Sequence, residues 1–332
     1  MDERFGALGA WLRSTPAGAD SRLEPASADA SFRRYFRVFA AGKTYIAMDA
    51  PPQREDSAPF VKVARLLRDA GLNAPEVIAA DLQQGFLLLT DLGSTLYIDE
   101  LRAGRDVDRL FGDATTALVR WQAASKPGVL PEYDEALLRR ELTLFPDWYL
   151  ARHLGVELTA AQREALEGVF RAVLARNLAE PRVYVHRDFM PRNLMVCEPN
   201  PGILDFQDAV HGPISYDVAC LFRDAFLSWD EERVLDGTIR YWEKARKAGL
   251  PVRGDFAEFW GDVEWMGLQR HLKVLGIFAR LNYRDGKPGY LADTPRFIGY
   301  VRHAVNRYNE LAPLGRLLYE IEGRKPEVRL TF

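Results

Sequence analysis

Apolar and polar positions along the chain change rhythm once. In the first ninety residues they alternate in short runs: "YFRVFA" from Tyr35 and "TYIAMDA" from Thr44 flank Ala41-Gly42-Lys43, which predicts two strands joined by a tight hairpin. "APFVKVARLLRDAG" instead repeats Phe60, Val63, Ala64 and Leu67 at helical spacing and ends on Gly71, where a C-terminal cap belongs. Two more strand-like runs follow, "PEVIAAD" and "GFLLLTDLG", and the second enters the flexible turn Asp91-Leu92-Gly93. The Ala/Ser-rich segment 15–30 carries neither period and reads as a solvated connection.

Beyond that turn the period becomes helical, over 107–124, 133–153, 159–177, 216–229, 230–249, 256–280 and 295–311, and short strands return only around 182–205. The pattern predicts an α+β protein of two lobes: a small antiparallel sheet with one helix in residues 1–92, and a larger, mainly helical lobe in 93–332. A chain of 332 residues agrees with that division, since single cores stop growing at roughly 250 to 300 residues.

Composition narrows the chemistry. With 48% apolar and 27% charged residues and a formal charge of -3, the chain offers no general attraction to nucleic acid. No stretch reaches the ~18 apolar residues of a membrane span, and the acidic start "MDERFGALGAWLRSTP" lacks a signal peptide's basic flank and long apolar core, so a cytoplasmic protein is expected. Cys197 and Cys220 stand in no ligand spacing, which supports neither a disulfide framework nor structural zinc.

The chemistry concentrates in "VYVHRDFMPRNLMV", residues 183–196, where an apolar run gives way to a polar knot. His186, Asp188 and Asn193 form H-x-D-x-x-x-x-N with Arg187 in second place, the form of a kinase catalytic loop, and Asp205 follows twelve residues after Asn193 in "GILDFQD". Phosphoryl transfer needs a carboxylate at the attacking hydroxyl and hard oxygen ligands for Mg²⁺. Asp188 suits the first role; Asn193 and Asp205 suit the second. The alternative is a hydrated turn, because Asp and Asn side chains bond nearby backbone. His186 reads as a structural residue, and Asp217, just before an apolar helix, either caps that helix or accepts amides from the loop. Only eleven residues separate Asp205 from Asp217, and there is no A-P-E motif, so the platform that holds a peptide substrate is missing and a small hydroxyl-bearing acceptor is favoured.

On these residues the chain resembles the aminoglycoside phosphotransferase/choline kinase superfamily, small-molecule kinases with a protein-kinase-like fold. Its stretches "SADASFRRYFRV", "MDAPPQRED", "HRDFMPRNLMV", "GILDFQDAVHGPISYDVACLFRDAF" and "RHLKVLGIFARLNYRDGKPGYL" look like the bacterial anomeric kinases of N-acetylmuramate and N-acetylglucosamine within it. The resemblance implies ATP and Mg²⁺, phosphorylation of the C1 hydroxyl, and passage of the sugar 1-phosphate to a uridylyltransferase in peptidoglycan recycling. It implies Asp188 as catalytic base and Asn193 and Asp205 as metal ligands. It also implies a phosphate-covering loop over 27–34 with Ser27, Asp29, Ser31, Arg33 and Arg34, and a hinge at Asp91 beside the adenine.

Two features depart from kinase patterns. The covering loop has no G-x-G-x-x-G, and Asp49 stands in "IAMD" where kinases carry the lysine of V-A-I-K. An inverted pair is the expected repair, with Asp49 facing Lys62 or Arg65 while Arg33, Arg34 or Lys43 supplies the positive charge for phosphate. On the acceptor side Gln207, Asp208, Arg223 and Asp224 follow the metal site closely, and Arg223 is suited to bind a lactyl carboxylate bidentately, although "RDAF" on a helix would equally form a solvated face. Arg270, His271 and Lys273 form a basic cluster near Tyr283 and Tyr290. Kinases of other small acceptors, such as aminoglycosides, choline or homoserine, and a nucleotide-binding pseudokinase are the competing readings.

Overall fold

The computed structural model of the protein describes residues 3–28, 32–40 and 42–323. The chain divides into two compact units, one of residues 1–124 with 191–209, the other of 125–190 with 210–332.

The first unit begins with helix α1 (Glu3–Leu12) and a five-stranded sheet: β1 (Arg22–Ala28), β2 (Arg34–Ala40), β3 (Lys43–Asp49), then, after α2 (Ala58–Asp69), β4 (Val77–Asp81) and β5 (Phe86–Thr90). The order is β1-β2-β3-β5-β4 and every pairing is antiparallel. Leu8 and Leu12 of α1 share a core with Val38, Ala47, Phe86 and Leu88, so the first helix covers one face of the sheet. Two expectations change here. The amino-terminal segment is a helix, and 22–28, expected as a loop, is an edge strand whose register shifts between Pro25 and Ser27, where an edge position tolerates a proline that cannot donate. Gly85 closes the β4–β5 turn at φ +75°, and a Cβ on it would stand 1.8 Å from the Ala50 carbonyl oxygen. The unit's first segment ends with α3 (Tyr97–Arg102) and α4 (Val107–Ala123).

The second unit opens with α5 (Glu135–Leu142), a π-helical stretch over Phe145–His153, α6 (Ala160–Leu178) and strand β6 (Arg182–Val185). The single helix expected over 133–153 is thus two pieces, parted where Pro146 lacks the N–H to continue a regular ladder. Between Met190 and Pro191 the chain returns to the first unit for the short ladder of β7 (Leu194–Met195) with β8 (Gly202–Ile203). Strand β9 (Val210–Pro213) then pairs antiparallel with β6 and leads into α7 (Tyr216–Phe222), α8 (Glu231–Lys247), α9 (Phe256–Tyr283), α10 (Thr294–Arg307) and α11 (Ala312–Ile321).

Helix α7 is shorter than the 216–229 expected. Asp224 Oδ2 accepts the backbone amides of Phe226 and Leu227, both at 2.9 Å, and this local bonding competes with the helical ladder and turns the chain away. Helix α9 is the buried axis of the unit, with nearly every residue from Phe259 to Ala279 inside, and it packs against the π-helical stretch. A Cβ on Gly276 would lie 2.3 Å from the Leu144 carbonyl oxygen, so no larger residue fits there without moving backbone. Gly276→Ala should lower the unfolding free energy in urea by about 1–3 kcal/mol through overpacking. Gly299→Ala on α10, where an added methyl meets nothing within 4 Å, should raise it by about 0.5–1 kcal/mol.

Candidate active site

The polar knot begins where β6 runs out of ladder partners. The His186 amide donates to Asp217 Oδ2 at 2.7 Å and the Arg187 amide to Oδ1 at 3.0 Å. Asp217 makes no side-chain cap on its own helix. Arg187 holds φ +76°, a left-handed geometry that costs a non-glycine residue roughly 1–2 kcal/mol. Its carbonyl accepts from Cys220 Sγ at 3.3 Å. The Asp188 amide donates to His186 Nδ1 at 3.3 Å, the Met190 amide to the Asp188 carbonyl at 2.9 Å, and the His186 ring meets Phe189 edge-on. His186 therefore bonds loop backbone, and Asp188 is left partly buried on a loop whose main chain is bonded on both sides.

The Arg187 side chain fixes the loop from below. Its Nη2 donates to Glu141 of α5 at 2.5 Å and its guanidinium lies over the Tyr133 ring. Glu141 also takes Lys273 at 3.1 Å, Gln269 Nε2 at 3.1 Å and the Tyr133 hydroxyl, while Lys273 donates to the Tyr216 hydroxyl at 3.0 Å. Burial alone would push Glu141 up, but Lys273 and Arg187 more than offset it and hold the carboxyl at about 2. Asp217 is moved the other way: burial raises it to about 7 against the pull of the two amides.

Back in the first unit, Asn193 Nδ2 donates to Asp205 Oδ2 at 3.3 Å, Gln207 Nε2 donates to Asp205 Oδ1 at 2.9 Å, and the Leu204 amide donates to the Asn193 carbonyl at 2.9 Å. Asp205 itself stands at φ +60°, and the next residue, Phe206, packs against Phe60 of α2 with ring centroids 4.7 Å apart. The set offers a carboxylate and an amide oxygen with no sulfur or imidazole, a donor set suited to a hard dication such as Mg²⁺.

Asp49, at the lysine position, is wholly buried. It faces neither Lys62 nor Arg65: Arg34 Nε donates to Oδ2 at 3.0 Å and Arg4 Nε to Oδ1 at 3.0 Å, so α1 and β2 each supply one guanidinium. Arg33 pairs with Glu55 at 3.0 Å. Asp91 binds Arg37 through both oxygens, at 2.7 and 3.1 Å, and accepts the Gly93 amide at 2.9 Å. Ser27 lies in β1 opposite Tyr35; Asp29 and Ser31 lie outside the described residues.

Of the acceptor-side candidates, Gln207 holds Asp205 and Asp208 is exposed. Arg223, just past the end of α7, pairs with Glu231 at 2.5 Å and lies over the Tyr300 ring. Asp224 is spent on the amides that end α7. His271 is kept neutral, well below its usual range, by burial and then by Arg270, Arg223 and His303. Glu231, Glu264 and His303 also converge, but Arg307 pairs with both carboxylates and Arg223 with Glu231, so this is an ion-pair network across α8, α9 and α10 already supplied with cations. Arg4, Tyr133, Glu141 and Gln269 carried no signal in the sequence, since each meets its partner across a long stretch of chain.

Residues 22–256 match the phosphotransferase enzyme family APH, and the chain belongs to that family. It is a phosphotransferase. An N-acetylmuramate/N-acetylglucosamine kinase of Pseudomonas aeruginosa is 53% identical over 327 residues, 96% of each chain. One of the same name from Pseudomonas putida is 49% identical over 325 residues, covering 97% of this chain and 94% of that protein. A solved choline/ethanolamine kinase family protein from Mesorhizobium loti, 17% identical, matches with a TM-score of 0.63 over 93% of this chain and 97% of its own, which shows the shared kinase-like fold.

Two outcomes test the geometry. Replacing Arg4 and Arg34 together by Met strands the buried Asp49 carboxylate and should cost about 3–5 kcal/mol in urea unfolding, most of it regained when Asp49→Leu is added. Glu141, depressed in the fold, contributes stability that is present above its ordinary value near 4.5 and is lost as pH falls toward 2; Glu141→Gln should flatten that acid limb of unfolding free energy, worth about 3 kcal/mol.

Proposed function

We propose that the chain is an ATP-dependent sugar kinase that phosphorylates the anomeric C1 hydroxyl of N-acetylmuramate and N-acetylglucosamine. The observation that carries this reading is the Asn193–Asp205 contact, formed by residues that follow the H-R-D loop in sequence, in a chain that matches kinases of those sugars over nearly its whole length. Asp188 orients the C1 hydroxyl and takes up its proton as the C1 oxygen bonds to the γ-phosphorus of ATP and the bond from that phosphorus to the bridging oxygen breaks, releasing ADP. Asp217, His186 and Arg187 hold the backbone that carries it, so that little of the barrier goes into ordering the base. Mg²⁺, held by Asn193 and Asp205, would neutralise the charge on the transferring phosphates.

Residues 1–92 serve the nucleotide and residues 93–332 carry the catalytic loop, the metal ligands and the sugar pocket. The segment 27–34, with Ser27, Asp29, Ser31, Arg33 and Arg34, covers the donor phosphates, its two arginines being held by Glu55 and Asp49, and Asp91 steadies the hinge beside adenine. Asp49 as a buried counter-charge to Arg4 and Arg34 gives the acid at the lysine position a structural reason, which favours an active kinase over a regulator that has lost its chemistry. Gln207 and Asp208 serve the acceptor, whereas Arg223, paired with Glu231, and Asp224, whose Oδ2 takes two backbone amides, support the acceptor side from further out. An activated sugar 1-phosphate is the kind of product that a uridylyltransferase consumes in returning cell-wall sugars to use.

The test is direct. Protein, ATP and Mg²⁺ incubated with each sugar should yield a phosphorus NMR signal for an acid-labile anomeric phosphate. An acid-stable phosphate on a primary hydroxyl, or turnover of choline or an aminoglycoside in place of the sugars, would overturn the reading. Asp188→Asn should lower kcat by about 10²–10⁴-fold with ATP affinity kept, while Asp205→Asn should weaken metal-dependent nucleotide binding as well.

A further inference from the structure

Within the first unit, the turn between β3 and α2 carries an acid whose two bonds have so far been given no purpose. Phe32 stands just ahead of β2, beyond the Arg34–Asp49 pair that ends the ladder with β3, so its amide lies outside that ladder. Glu55 receives it: Oε1 accepts the Phe32 amide at 3.1 Å, while Oε2 takes Arg33 Nη2 at 3.0 Å. Arg33 is 8% exposed, and a guanidinium taken that far out of water needs an anion beside it. Arg54, the residue before Glu55, lies over the Phe32 ring at 4.5 Å, a cation–π contact to a side chain that is 56% exposed.

The acid stands on a firm base. The Arg54 and Glu55 amides both donate to the Pro51 carbonyl at 2.9 Å, and the Ala50 amide donates to the Gly85 carbonyl at 2.9 Å, so the turn is closed on itself and tied to the β4–β5 hairpin. Pro51 and Pro52 each fix a backbone angle in it. One position past Arg33, Arg34 is bonded to Asp49 at the end of β3. Three successive residues, Phe32 to Arg34, are thus fastened to β3 and the turn that follows it through two acids.

We propose that Glu55 is a positioning residue for the nucleotide, one that fixes where the 27–34 segment meets the sheet and so sets its β2 end before ATP arrives. This rests on the reading of that segment as the cover of the donor phosphates. A cover left loose at its root must be ordered at the expense of phosphate binding, whereas one already anchored keeps that binding energy for the ligand. A carboxylate that instead competed with phosphate for Arg33 would act with the opposite sign, and the sign can be measured.

The experiment compares wild type, Glu55→Ala, Glu55→Gln and Arg54→Leu. Affinities for ATP, ADP and adenosine are taken by titration calorimetry, KM for ATP and kcat with N-acetylglucosamine by assay, and tryptic cleavage after Arg33 and Arg34 is followed without nucleotide, with thermal unfolding alongside. Glu55→Ala should weaken ATP and ADP about tenfold, leave adenosine within about twofold, raise KM for ATP about tenfold with kcat within about threefold, and speed cleavage after Arg33 and Arg34. Glu55→Gln, which still accepts the Phe32 amide but carries no charge for Arg33, should weaken ATP about threefold, as should Arg54→Leu. Tighter ATP binding by Glu55→Ala would make Glu55 a competitor of the phosphates, and an equal loss for adenosine and ATP would make it a brace of the sheet; either result, or an unmoved ATP affinity, overturns the proposal. Should Glu55→Ala fail to fold, Glu55→Gln decides by the same signs. A wild type that binds no ATP defeats the nucleotide reading and this inference together; ATP binding that the variants leave unmoved defeats the inference alone.

Discussion

Where β6 ends, two successive amides point inward with no strand to receive them, and one carboxylate receives both. Buried backbone donors must be paired, so the loop after β6 can take its shape only if an acceptor is brought there. The β6–β9 ladder does this: Val185 pairs with Val210 and Arg182 with Pro213, and the chain then enters α7 with Asp217 on its first turn. With the amides of His186 and Arg187 anchored, Arg187 tolerates its left-handed backbone and Asp188 is delivered at the loop's tip. A loop that in isolation would sample many conformations is ordered before any substrate arrives.

The charges beneath this loop follow a consistent logic. In protein kinases a segment becomes ordered when a phosphate is added opposite an arginine cluster. Here Arg187 meets an acid that belongs to the core, Glu141, fixed in turn by Lys273, Gln269 and Tyr133. An interior carboxylate needs no modification and does not dissociate. Together with the short run from Asp205 to Asp217, this describes a loop tied to the core by an internal ion pair. In the first unit the same device appears at Asp49, where a carboxylate without exposure gathers Arg4 and Arg34 and so ties α1 to the sheet.

How much of this was legible in the sequence depends on the range of the interaction. The strand–helix–strand order after residue 34 and the long helices followed from periodicity, because burial of one face repeats every two or 3.6 residues and leaves a local trace. The polar loop after β6 and the contact of Asn193 with Asp205 stood out because the pattern lies within twenty residues of chain. Helix α1 and strand β1 did not, since an edge strand paired on one side needs little apolar patterning and a short helix is held by the sheet it covers. Nor did the early end of α7, which turns on one side chain, Asp224, choosing the amides ahead of it.

Ion pairs leave the weakest trace of all. Arg4 and Asp49 are 45 residues apart in the chain, Glu141 and Arg187 are 46, and nothing in either segment marks one acid among 47 as the partner of one base among 44. The sequence singles out Arg223 for an anion by proximity to the candidate metal ligands, yet its guanidinium is already paired with Glu231, whereas Arg270, an ordinary base on a long helix by sequence, is buried against a backbone carbonyl and a thioether. What a charged side chain can do is set less by its type than by what has already neutralised it, and that information exists only once the chain is folded.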